Sequence, residues 1–132
     1  MAPRLELVTL VVEEYDTAIE FFVGVLGFDL IDDSSAMTES GDEKRWVVVR
    51  PPGATTGLLL ARAEGQAQSA VVGNQAPGRV AFFLRVHDFE ASFRRMTKAG
   101  VEFVRAPRTE SYGRVAVFLD CAGNCWDLLG PT

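Results

Sequence analysis

Both cysteines of this 132-residue protein fall, with two aspartates, in FLDCAGNCWDLLG, residues 118–130. Asp120 and Cys121 are adjacent, Cys125 follows four residues later, and Asp127 lies two beyond it. Thiolates and carboxylates this close together suggest half of a metal site, and two cysteines flanking a tight turn suggest a small disulfide loop. Neither reading goes far. A structural zinc site needs four ligands, usually as tight cysteine pairs at both ends, and the chain holds only Cys121, Cys125 and one histidine, His87. Two cysteines make no disulfide framework, and a reduced compartment keeps them as thiols. The simpler reading is conformational: Gly123 and Asn124 supply turn chemistry, so CAGN is expected to join the last two strands as a hairpin turn.

Other candidate chemistry is sparse. His87 falls where a strand meets a helix and is expected to be solvated or to cap, and a single histidine supports no Ser–His–Asp arrangement. There is no G-x-G-x-x-G or P-loop pattern. Glu110, Tyr112 and Arg114 lie in TESYGR, read as a loop before the penultimate strand; Tyr112 there offers a hydroxyl and a stacking face, or the segment is a plain surface turn. The formal net charge of −5 and a pI near 4.8 come without a basic stripe, which argues against nucleic acid as a partner. An acidic balance favours a cationic ligand, though net charge speaks weakly about any one site. The N-terminus reads as no signal peptide and the apolar runs are too short to span a bilayer, so no membrane partner and a cytoplasmic location are expected.

The elements that must position these residues occur twice. LELVTLVV reads as a strand, EEYDTAIEFFVGVLGF as a helix with Asp16 at its start and Gly27 at its end, FDLID as a strand, SSAMTESGDEK as a polar loop, RWVVVR as a strand, PPGATTG as a turn and LLLARA as a strand. In the second half the same order returns: strand RVAFFLRV, helix HDFEASFRRMTKAG, strand VEFVRA, loop PRTESYG, strand RVAVFLD, turn CAGN and strand CWDLLG. EEYDTAIEFF is similar to HDFEASFRRM, and LGFDL to AGVEF, so one supersecondary unit is duplicated. The Gly-, Ala- and Gln-rich stretch RAEGQAQSAVVGNQAPG, residues 62–78, reads as the linker. The expectation is one domain, 1–132, with module one about 4–61 and module two about 79–130.

In this order and spacing, VTLVVEEYDTAIEFFVGVLGF and GRVAVFLDCAGNCWDLLG resemble the vicinal oxygen chelate superfamily, which includes glyoxalase I, the bleomycin resistance proteins and the extradiol dioxygenases. The second segment is similar to the family's D-P-D-G-N-x-x-E-L ending: Asp120, Gly123, Asn124 and Leu128 keep it, and Cys121, Ala122 and Asp127 depart. The resemblance covers nearly the whole chain. It implies an α+β fold of two tandem βαβββ modules, forming curved mixed sheets around a cavity where enzyme members hold one divalent metal.

The resemblance also implies where that metal's ligands belong: Leu7, Leu59, Arg79 and Asp127 stand at the four positions. Glu6 adjoins Leu7, but a one-residue slip along a strand turns a side chain to the opposite face. Neither a metal nor another cofactor is therefore expected. Because the third and fourth ligands touch one ion in the family, Arg79 and Asp127 are expected to converge as a guanidinium–carboxylate pair. Period-two alternation extends the wall: Thr9 and Val11 with Leu7, Ala81 and Phe83 with Arg79, Cys125 and Leu129 with Asp127. Trp46, Val48, Arg114, Ala116 and Phe118 join it at a less certain register, and Tyr112 borders it. Such a mostly apolar pocket suits a small molecule with an apolar body and a polar group. The functional expectation is a homodimer, again by resemblance, that binds a small apolar or amphipathic molecule without metal. The alternatives are a metal-dependent lyase, isomerase or dioxygenase of the same superfamily, or a metal-free enzyme using Asp127 or Glu110 as a base.

Overall fold

The computed structural model of the protein describes residues 2–37 and 43–132. The chain divides into two compact units, residues 1–72 and 73–132. In the first, β1 (Leu7–Val12) leads to α1 (Tyr15–Ile19), which runs on as a π-helical segment, Glu20–Val25, and then to β2 (Asp29–Met37), β3 (Glu43–Arg50) and β4 (Gly57–Arg62). A short helix, α2 (Gly65–Ser69), follows. The second unit repeats the plan with β5 (Val80–Arg85), α3 (Phe89–Lys98), β6 (Phe103–Glu110), β7 (Gly113–Leu119) and β8 (Cys125–Gly130). The sheet orders are β1-β4-β3-β2 and β5-β8-β7-β6. In each, the first and last strands of the unit pair in parallel and the other neighbours pair antiparallel. These are the two tandem βαβββ modules expected from the duplicated pattern.

Alternation decides which face each strand buries. Leu10 and Val12 on β1, Val47 and Val49 on β3, and Leu58 and Leu60 on β4 are buried, as are Tyr15, Ala18, Phe22 and Leu26 of the helical segment. Fully burying a side chain such as Phe22 contributes about 1.5–3 kcal/mol. The helix begins two positions earlier than a cap at Asp16 would set. Glu14 occupies the N-cap position without a side-chain cap, and Asp16 lies in the first turn. Asp16 instead meets the Arg45 guanidinium at 2.9 Å; Arg45 also pairs with Asp33 at 2.8 Å. Gly27, at φ 80°, ends the segment as expected.

In the second unit Asp88 caps α3 by accepting the Ala91 backbone N–H at 3.0 Å, with Glu90 in the first turn and Arg95 and Lys98 in the last, an arrangement the helix dipole favours. An aromatic seam runs between α3 and the sheet, with ring centroids of Phe93–Phe103 at 4.6 Å, Phe103–Phe118 at 5.9 Å and Phe118–Trp126 at 5.7 Å.

Three expectations change. β2 extends through SSAM to Met37, where a loop is expected, and residues 38–42 of that loop lie outside the described residues. β6 continues through Pro107 to Glu110, so PRTESYG is mostly strand. Proline is tolerated there because β6 is an edge strand and its register shifts between Arg105 and Arg108. The linker region carries α2. Among the described residues no helix is long and apolar enough to cross a membrane.

Candidate functional site

The CAGN segment is a turn, and Asp120 holds it. Its Oδ1 accepts the backbone N–H groups of Ala122, Gly123 and Asn124 at 2.9, 2.9 and 3.0 Å. Its Oδ2 accepts from Asn124 Nδ2 at 3.2 Å and from the Trp126 indole at 2.8 Å. Asp120 and Asn124 are the buried polar residues of the chain's described part, and these bonds satisfy them. Both cysteines are free. Desolvation of the thiol and the neighbouring Asp120 charge push Cys121 up to about 12, although the residue as a whole has substantial exposed surface, so it is not a ready thiolate. His87 is exposed and precedes the capping Asp88 rather than capping itself.

Each sheet has one face toward its helix and one open face. On the first sheet, register places Leu7, Thr9 and Val11 beside Gly57, Leu59 and Ala61, and Val48 beside Leu59. That face is opposite the buried Leu10–Leu60 row, so Leu7, Thr9, Leu59, Trp46 and Val48 share the open side. Trp46 is 47% exposed there. Glu6, Leu7, Ile31, Asp32, Trp46, Val48, Arg50 and Gly57 line a shallow concavity of about 280 Å³.

On the second sheet Asp127 pairs in register with Phe83 on β5 and Val117 on β7, and Phe83 is 64% exposed on the open face. A concavity of about 440 Å³ opens here, lined among others by Arg79, Val80, Val104, Arg105, Arg108, Cys125 and Asp127. Arg79 and Asp127 therefore border one space, but the expected pair is not formed: among the described residues no ion pair joins them. The cations that act on Asp127 are Arg108 and Arg105, which favour its ionised form; burial outweighs them and raises its pKa above the ordinary carboxylate value. Glu110 is bonded to Arg108 Nε at 2.8 Å.

The less certain register on β7 is off by one. Phe118 pairs with Trp126 and packs in the aromatic seam, fully buried; Ala116 pairs with Leu128 and is also buried. Arg114 reaches α3, where Nη2 meets Glu90 at 2.9 Å and the guanidinium covers the Phe89 ring. All three face the helix, and Val115 and Val117 take the opposite face, where both are buried. On β5 the register shifts between Val80 and Phe82, so Ala81 drops out of strict alternation and Val80 aligns with Cys125. Tyr112 is an exposed residue of the two-residue β6–β7 turn. Arg105 and Arg108 are the charged lining residues of this concavity that sequence reading missed. Odd spacing puts them on opposite faces of a regular strand; the bulge between them lets both line one concavity.

The positions that correspond to metal ligands do not fit a metal. Leu7 and Leu59 offer no donor, Arg79 is a cation, and Asp127 stands near Arg105 and Arg108. Among the described residues, no three His, Cys, Asp or Glu side chains gather where they could hold an ion.

The family model for the Glyoxalase/Bleomycin resistance protein/Dioxygenase superfamily matches residues 4–128. The chain belongs to this superfamily. An uncharacterized protein of Shewanella frigidimarina (strain NCIMB 400) is 50% identical over 123 residues, which is 92% of this chain and 89% of that protein. Among superfamily members of known structure, TnmS3, described as an antibiotic binding protein from Streptomyces sp. CB03234, superposes with a TM-score of 0.76 at 30% identity, covering 99% of this chain and 98% of its own. UcmS2 gives a TM-score of 0.79 at 27% identity, with 98% of both chains covered.

Proposed function

We propose that this superfamily member binds a small apolar or amphipathic molecule on its open sheet faces without using a metal, and that it does so in the cytoplasm as a homodimer. The observation that carries the reading is the chemistry of those faces. Leu7 and Leu59 stand where the resemblance calls for metal donors, and the large aromatics Trp46, on the first sheet, and Phe83, on the second, are left 47% and 64% exposed. An exposed aromatic ring within a concave, partly apolar lining such as that around Trp46 offers a stacking surface to a small molecule. Similarity to the antibiotic binding protein TnmS3 over nearly the whole chain supports the same reading.

The test is fluorescence titration of the protein, purified without a histidine tag, with planar aromatic antibiotics and hydrophobic amines. Trp126 is buried and Trp46 exposed, so binding on the first sheet's open face is expected to change Trp46 emission saturably, and Trp46→Phe should remove that change. Elemental analysis of the same sample should find sub-stoichiometric metal. Near one equivalent of metal, together with turnover of a glutathione adduct of methylglyoxal or of catechols, would replace this reading with the metal-dependent enzyme.

A further inference from the structure

We infer that the concavity of the second sheet takes the anionic end of the ligand, so that the molecule bound is an amphipathic organic acid, an apolar ring system bearing a carboxylate or phenolate. The inference rests on the ligand-binding reading above and adds the chemical class of the ligand.

Its basis is a local reversal of charge. The chain carries a formal charge of −5, which by itself would favour a cation. The charged side chains lining this concavity are Arg79, Arg105 and Arg108 against Asp127 alone. Glu110 takes only the Nε of Arg108. The Nη1 of Arg108 is shielded from solvent yet bonds to no acceptor among the described residues, so the guanidinium has unused donor capacity. The side chains of Arg79 and Arg105 have no hydrogen bond or ion pair among the described residues, and both border the same space. Arginine is the cation best shaped to grip a planar oxyanion, because its fork presents parallel N–H donors.

Asp127 does not cancel this field. One carboxylate stands against three guanidinium groups in the lining, and the charges of Arg105 and Arg108 both act on it. The rest of the lining is mixed: Asn74 and Asn124 are polar, while Val80, Val104 and Val117 give an apolar part, with Val104 46% exposed. A bare inorganic anion would leave that surface uncovered. The volume, about 440 Å³, falls within the range of small-molecule sites.

The experiment is isothermal titration of the intact protein with 2-naphthoate, with its neutral counterpart 2-naphthamide, and with inorganic phosphate. Naphthoate is expected to bind at least about tenfold more tightly than naphthamide, the effect of one charge-assisted contact. Arg105→Gln and Arg108→Gln should each weaken naphthoate about tenfold and leave naphthamide unchanged, whereas Arg94→Gln on the exposed side of α3 should change neither. Circular dichroism establishes that each variant is folded. Equal binding of the two naphthalenes would overturn the inference and leave the ligand-binding reading standing. Phosphate binding as tightly as naphthoate would also overturn it, since the apolar body would then contribute nothing. Binding of neither naphthalene, while Trp46 emission still responds to the antibiotics, would overturn the inference alone; no response to any of these compounds would overturn both.

Discussion

Both carboxylate oxygens of Asp120 are occupied by the turn that follows it, and this explains why the residue keeps company with Gly123, Asn124 and Trp126. Three backbone donors converge on one oxygen and two side-chain donors on the other. Truncation would leave the buried Asn124 amide and Trp126 indole without an acceptor. Asp120→Ala is therefore expected to destabilise the protein by about 3 kcal/mol in urea unfolding, with the larger share from stranded donors. A loss below about 1 kcal/mol would mean that water replaces the carboxylate easily. The turn was legible from CAGN, and Asp120 from the family ending. The roles of the two cysteines were legible only as exclusions. Which basic residues neighbour Asp127 was not legible, because Arg105 and Arg108 lie on another strand and reach it through a register that local sequence does not encode.

At the scale of the element, strand identity was easier to read than strand face. Runs such as LVTLVV and RVAVFLD announce strands by composition, and Asp88 and Gly100 bracket α3 as its ends require. The face of β7 was misread because its alternation offers little contrast: Val115, Ala116, Val117 and Phe118 are all buried. The hairpin turn decides it. Glu110 pairs with Gly113, leaving Ser111 and Tyr112 as the turn, and that register sends Arg114 and Phe118 toward α3. Gly113 makes the turn possible. Its φ is 127°, and a Cβ there would lie 2.3 Å from the Gly130 carbonyl oxygen. Gly113→Ala should therefore cost about 2 kcal/mol or more, from left-side backbone strain and that collision with main chain, measured as a lower urea midpoint at unchanged slope. A variant as stable as the parent would show that the β6–β7 hairpin tolerates another register. Pro107 gave the opposite lesson: it opens the segment read as a loop, yet it lies in an edge strand at the irregularity between Arg105 and Arg108, where its missing N–H is tolerated.

For the whole molecule, duplication of the βαβββ pattern and the two flanking motifs carried the fold, and the superfamily match over residues 4–128 agrees. The expectation for assembly comes from the family resemblance, and exposed Trp46 and Phe83 are compatible with it. Light scattering on the eluting protein should give twice the 14.4 kDa chain mass; a monomer at micromolar concentration would remove the homodimer from the proposed function. The division between what sequence determined and what required tertiary structure follows from range. Hydrophobic period, turn residues and helix caps act within a few residues, so the order of elements, the absence of donor side chains at Leu7 and Leu59, and the CAGN turn could be read along the chain. Sheet register and bulges are settled by pairing between strands far apart in sequence, where a shift of one residue reverses every side chain. That is why only the tertiary structure removed Phe118 and Arg114 from the open face, separated Arg79 and Asp127 from the expected ion pair, and gathered Arg105 and Arg108 into a concavity where arginines outnumber carboxylates.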